Sequence, residues 1–387
     1  MFNYVYFKNL NGFRFIAALM VIVCHLELFK QRIGQPNIWR LPVIFEGGSA
    51  GVDFFFVLSG FLITYLLLAE NKKKETISLR KFYVRRILRI WPLYFLIVAI
   101  TFCIVPYINS LIIPGYSEQL EIFPLQKFFL CLILMPNVAL SFFGEMPYAG
   151  PLWSIGVEEQ FYIFWPILLL LFRQTKKTII GFTLAFILLK VLALALGFSH
   201  MISSENYERI KNFIVGLRME CMGIGAIGAY FAFHNSPILK KISKNSMAKV
   251  SIILVPILFY VVPFLFEVHH ILLSLLFLVI ILNGATNPNT FINLEHSVLR
   301  RLGTISYGLY LWHPICIGIA LYIMNTLNLW ASEQSNLFYY GIALSLIVSI
   351  SLLSYFYFEK LFLKLKRKYT IISSGNVARF HNIRIDQ

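Results

Sequence analysis

Runs of about twenty apolar residues follow one another along the whole of this 387-residue chain, each long enough to cross a bilayer as a helix. That feature leaves few folds open. Backbone polar groups in hydrocarbon must be satisfied within their own segment, so a continuous apolar run crosses as an α-helix. A β-barrel would show short alternating segments instead. Composition agrees: 13% of residues are charged, against about 25% in an ordinary soluble domain. The fold class expected is all-α and polytopic. The formal net charge of +16 would point to nucleic acid in a soluble protein. In a membrane protein Lys and Arg accumulate in cytoplasmic loops, so lipid is the expected partner and nucleic acid is not. The five cysteines, Cys24, Cys103, Cys131, Cys221 and Cys316, all lie in apolar runs without a CxxC pair. They suggest neither a disulfide framework nor a metal site. No small-residue cleavage site follows the first apolar run, which reads as a retained span.

Spans are expected near residues 10–30, 48–69, 87–107, 154–172, 178–197, 212–233, 250–266, 270–284, 303–324 and 337–359. The apolar run 125–142 contains Pro136 and Asn137 and reads either as a further span or as re-entrant. The distribution of positive charge decides between these. If the N-terminus is inside and 125–142 does not cross, inner segments hold 25 of the 34 Lys and Arg, outer segments hold six, and Arg14, Lys190 and Arg218 lie within spans. If 125–142 crossed, every later loop would change sides and the tail "KLFLKLKRK" would lie outside. Ten transmembrane helices around a polar pore, with both termini cytoplasmic, are therefore expected. Residues 108–153 would form an outer, partly re-entrant segment. Residues 369–387 read as a flexible cytoplasmic tail on a membrane domain of residues 1–368.

A charged side chain near the bilayer centre costs about 2.5–3.5 kcal/mol on insertion scales, so ionisable residues in the spans carry information. In "GFRFIAALMVIVCHLELF", Arg14 and His25 are separated by nearly three helical turns, roughly 16 Å along one face. The next span opens "GGSAGVDFFFVLSGFL", with Asp53 at about the depth of His25 and Ser59 deeper. Asp53 has two readings: an anion at a helix start, or a partner that fixes the His25 tautomer. In "PLWSIGVEEQFYIFWP", Ser154 with Glu158 resembles a cap, yet Glu158 and Glu159 together are costly for capping alone, and one is expected to face a cavity. In "SLRKFYVRRILRIWPLY", Arg85 and Arg89 share a helix face beside Arg86. They read as positive-inside anchors or as a phosphate clamp. "LGTISYGLYLWHPI" sets Ser306, Tyr310 and His313 on one stripe, followed by Pro314. Glu359 closes the last span.

This ordered set of motifs resembles the acyltransferase-3 family of integral-membrane O-acyltransferases, over about residues 8–365. The resemblance implies transfer of an acyl group, acetyl by default, from cytoplasmic acyl-CoA to a hydroxyl of a cell-surface or lipid-linked glycan, in a bacterial inner or plasma membrane. It implies that Arg14 and His25 are an essential first-helix pair, that Arg85 and Arg89 lie near the CoA, and that Glu158 is a functional acid. Some relatives carry a fused extracytoplasmic esterase-like domain that is not seen here, so polysaccharide-assembly proteins are expected as further partners.

The reading that follows makes His25 a general base on the acceptor hydroxyl, oriented by Asp53 or Glu158. Arg85, Arg86 and Arg89 hold the CoA phosphates, and Arg14 guides the donor arm. Trp153 and Tyr310 pack on substrate, and Ser59 or His313 donates to the oxyanion. No metal is expected. An acyl-enzyme on His25 or a serine is the other chemistry, although no nucleophile-elbow motif is present. Two readings come from other classes. One is a secondary transporter or flippase using intramembrane His, Asp and Glu as a proton relay, which the lack of a visible inverted repeat disfavours. The other is a polysaccharide-synthesis scaffold.

Overall fold

The computed structural model describes residues 4–172, 175–196, 204–261, 265 and 267–374. Its helices, in chain order, are α1 (Leu10–Arg32), α2 (Pro42–Lys74), α3 (Leu79–Cys103), α4 (Pro124–Leu132), α5 (Pro136–Phe143), α6 (Leu152–Leu171), α7 (Thr175–Leu196) and α8 (Ser204–Leu217). There follow α9 (Met219–Phe233), α10 (Pro237–Ile242), α11 (Asn245–Val261), α12 (His269–Thr286), α13 (Ser297–Thr304), α14 (Ser306–Thr326), α15 (Ser335–Leu353) and α16 (Lys360–Lys366). Among the described residues, nine helical runs are long and apolar enough to cross a membrane, and α11 is a shorter apolar helix. The chain is a multi-pass α-helical membrane protein. The end of the expected span 250–266 lies partly outside the described residues.

The segment 125–142 does not form one helix. Leu134 sits at φ 61° and Pro136 opens α5. The nine residues of α4 reach only about 14 Å, under half of a hydrocarbon core of about 30 Å. The expected span 212–233 is also interrupted. Arg218 adopts φ 43° between α8 and α9, which turns its side chain towards α2.

At the centre of the bundle, α2 packs against α1, α6, α9 and α12. Its contact with α9 is backbone to backbone. A Cβ on Gly60 would lie 1.9 Å from the Met222 carbonyl oxygen, and one on Gly225 would lie 2.2 Å from that of Val57. Glycine at both positions lets the helices approach where lipid offers no hydrophobic drive for association.

The two ends of the described chain meet. Strand β1 (Tyr4–Val5) pairs in parallel with β2 (Ser373–Ser374). Val5 and Ile372 are buried with Ala69 of α2. The first residues of the segment expected to be a flexible tail are thus held in place, while 375–387 lie outside the described residues. Beside the pairing, Tyr6 donates to Glu295, and the Asn9 amide donates to the same carboxylate at 2.6 Å. Burial, and then Glu295, push the Tyr6 hydroxyl up to about 12, so it remains a donor.

Candidate active site

His25 lies on α1 with Nδ1 2.9 Å from the Val21 carbonyl oxygen, one turn back. A carbonyl only accepts, so Nδ1 carries a proton, and in the neutral ring Nε2 presents the lone pair. His313 reaches the same state by another route. Pro314 has no N–H, so the Tyr310 carbonyl loses its helical donor. His313 Nδ1 takes that place at 2.7 Å. The His313 ring is fully buried, and its Nε2 has no partner among the described residues. The two imidazoles meet edge to face, with centroids 4.9 Å apart.

A polar stripe runs from this pair along α6, at Ser154, Glu158 and Tyr162, one turn apart. Ser154 Oγ is 2.7 Å from the Tyr310 hydroxyl. Glu158 accepts from Ser59 of α2 at 2.7 Å and from Tyr162 at 3.0 Å. Arg86 lies over the Tyr162 ring, 5.7 Å from its centroid. Beyond it is a basic cluster. Arg14, Arg86, Arg89 and Lys366 lie within electrostatic reach of one another. Arg14 also donates to Asn11 at 3.1 Å. The structure therefore joins Arg14, Arg86 and Arg89 at one end of the stripe and His25 and His313 at the other.

Several expected pairings are corrected. Asp53 does not contact His25. It is fully buried between Arg218, at 3.0 Å, and His270 Nδ1, at 2.7 Å. Glu158 does not orient His25 either, since its two oxygens serve Ser59 and Tyr162. The Val21 carbonyl has that role. Ser59 commits its proton to Glu158 and is not free to stabilise an oxyanion. His313 spends its Nδ1 proton on the backbone, so its neutral form cannot donate from Nε2. Arg85 is not an open clamp. It pairs with Glu70 at 3.0 Å and donates to the Tyr369 carbonyl at 3.0 Å. The cavity beside it, lined by Glu70, Phe82, Arg86 and Ile372, holds about 20 Å³, room for one water. Trp153 lies under Arg218, 5.2 Å from the guanidinium carbon, on the Asp53 side of the site. Glu159 accepts from Trp91 at 2.8 Å, and Glu359 accepts from Ser354 at 3.1 Å instead of pairing with a lysine. Of the stripe expected on α14, Tyr310 and His313 join the site and Ser306 is buried.

Sequence reasoning overlooked Tyr162, Lys366 and His270, and gave Arg218 no partner. Tyr162 stands four residues after Glu158 and was available as an i,i+4 partner. Arg218 was visible as a charge in an apolar run. Nothing local to either residue pairs His270 with Asp53.

A bundle of helices long and apolar enough to cross a membrane, with a polar stripe buried among them, defines the class: a multi-pass integral-membrane protein. The chain belongs to the acyltransferase family whose domain matches residues 7–356. It is 30% identical to a "Putative O-acetyltransferase" of Staphylococcus aureus (strain COL), over 93% of this chain and 58% of that protein. It is 27% identical to "Peptidoglycan O-acetyltransferase OatA" of Listeria monocytogenes, over 84% of this chain and 52% of that protein. To "Putative peptidoglycan O-acetyltransferase YrhL" of Bacillus subtilis it is 28% identical, over 92% and 54%. The chain thus spans little more than half the length of these relatives. No solved structure matches it.

Proposed function

We propose that this chain is a membrane O-acyltransferase that moves an acyl group, acetyl first among candidates, from cytoplasmic acyl-CoA to a hydroxyl of a cell-surface or lipid-linked glycan. One observation carries the reading: a basic cluster and a pair of imidazoles, each with Nδ1 on a backbone carbonyl, are joined by a single polar stripe. CoA is polyanionic and stays inside, while the acceptor sugar lies outside, so a catalyst must link the two within the membrane. The relatives' names support an O-acetyl transfer, and peptidoglycan is one acceptor among the glycans compatible with it. The topology that suits this function has ten crossings in a bacterial plasma membrane, with both ends in the cytoplasm. The β1–β2 pairing supports it, because an odd number of crossings would separate the ends.

In this mechanism Arg14, Arg86, Arg89 and Lys366 receive the CoA phosphates, and Arg85, tied to Glu70, fixes α3, which carries Arg86 and Arg89. The acceptor hydroxyl lies at His25 Nε2. Its oxygen attacks the thioester carbonyl while Nε2 takes the proton. The tetrahedral intermediate then expels CoA as thiolate, which recovers that proton from the imidazolium. The products are the acylated glycan and free CoA.

The test is mass spectrometry of surface glycans from cells carrying His25→Ala or Arg14→Ala at wild-type protein levels. Both substitutions are expected to remove the acyl ester. Near-normal esterification in His25→Ala would end the base assignment. Binding of labelled acetyl-CoA to purified protein, weakened by Arg86→Ala and Arg89→Ala, separates this reading from a transporter.

A further inference from the structure

A second cluster of ligand-type side chains lies around the start of α12, apart from the His25 stripe. Glu267, His269 and His270 each offer one ligand atom, all within 4.8 Å of one another. The two imidazoles are adjacent in the chain with ring centroids 3.9 Å apart. His269 and His270 are 5% and 2% exposed, so neither is solvated.

His270 is held as a metal-binding histidine is usually held. Its Nδ1 lies 2.7 Å from Asp53 Oδ2, so the Nδ1 proton goes to a carboxylate and the lone pair sits on Nε2. That nitrogen faces the Glu267 carboxylate at 3.7 Å. His269 Nε2 is 4.0 Å from Glu46 Oε2, and its Nδ1 is buried with no partner among the described residues. A buried imidazole nitrogen left unpaired is costly unless something fills the place.

Charge gives the same indication. Three carboxylates, Glu46, Asp53 and Glu267, face one guanidinium, Arg218, which is already committed to Asp53 and to Ser49. With neutral imidazoles the cluster carries two negative charges in excess, and a divalent cation would balance them. Two imidazole nitrogens with carboxylate oxygens suit the zinc class of transition metals, and not magnesium or calcium, which take oxygen donors.

We propose that Glu267, His269 and His270, with Asp53 orienting His270 and water completing the coordination, form a binding site for a divalent transition metal of the zinc class. The bound ion would hold the start of α12 to α2 through the His270–Asp53 bond. Tetrahedral zinc needs donor atoms about 3.3 Å apart, so side chains whose ligand atoms lie within 4.8 Å of one another must draw in by up to about 1.5 Å. Glu267 has an exposed side chain and is free to do so.

The experiment uses the full chain in detergent with Cys103→Ser, stripped with EDTA and desalted after exposure to Zn²⁺. Elemental analysis is expected to find about one zinc per chain. Zinc should raise the melting temperature of this protein but not that of its Glu267→Gln variant, and Co²⁺ should give the visible bands of a four-coordinate site. Glu267→Gln changes only an exposed side chain, so it should melt as the parent does in EDTA while binding zinc at least tenfold more weakly. His269→Asn should abolish stoichiometric binding. Substoichiometric zinc in the parent chain, or unchanged binding in Glu267→Gln and His269→Asn, overturns the site. None of these readouts involves acyl transfer.

Discussion

His25 and His313 present the same tautomer because each finds a backbone carbonyl on its own helix. Neither depends on a distant acid to set its proton. Asp53 is released from that role, and its part is to hold two cationic or cation-binding groups in a buried place. Asp53→Asn removes the carboxylate bonded to Arg218 in the interior, where breaking such a pair costs about 3–5 kcal/mol. The variant is expected to unfold at a markedly lower temperature in detergent, and the double variant Asp53→Asn with Arg218→Gln should lose less than the sum of the two singles. Wild-type melting of Asp53→Asn would refute the anchoring role. At this scale the sequence was half legible. An Arg or His in an apolar run announces itself, because lipid cannot solvate it. Its partner does not: Asp53 meets Arg218 and His270 across 165 and 217 positions of chain. Depth alone suggested His25, which is at a similar level on the neighbouring helix.

The helices themselves were easier to read. Apolar runs located α1, α2, α3, α6, α12, α14 and α15 closely, because length and hydropathy are summed over many residues. Breaks were harder, since hydropathy is blind to backbone conformation. Pro136 signalled the division between α4 and α5. The left-handed residue Arg218 lies in a run that looks continuous. The close approach of α2 and α9 was not legible, because a glycine in the sequence does not say which helix it faces. It yields a sharp expectation. Gly225→Leu places a branched side chain where a carbonyl already sits within 2.2 Å of a Cβ, so α9 must move away from α2. Asp53 and Arg218 flank that contact and would separate too. The variant should therefore be poorly folded, seen as aggregation on size-exclusion chromatography. Gly216→Leu, where a Cβ meets nothing within 4 Å, should elute as wild type.

For the molecule as a whole, the distribution of basic residues is the ground for expecting both ends on the cytoplasmic side. The loop between α2 and α3 tests it, since Glu75 at its tip is exposed and at φ 56°. Glu75→Cys, in a chain with Cys103→Ser, is expected to react with an impermeant maleimide only after the cytoplasmic face is opened. Labelling of intact cells would invert the topology and put the basic cluster on the wrong side for CoA. Which polar groups stay open was the least legible feature, because side-chain partners decide it. Arg85 looked available in the sequence and is tied down in the structure.

The pairing of Tyr4–Val5 with Ser373–Ser374 also orders events in time. β1 is translated before β2, so the two can pair only after every helix between them has been made. The seam buries Ile372 beside Arg86 and accompanies the bond of Arg85 to the Tyr369 carbonyl, so a chain halted before Ser373 would leave this flank of the basic cluster uncovered.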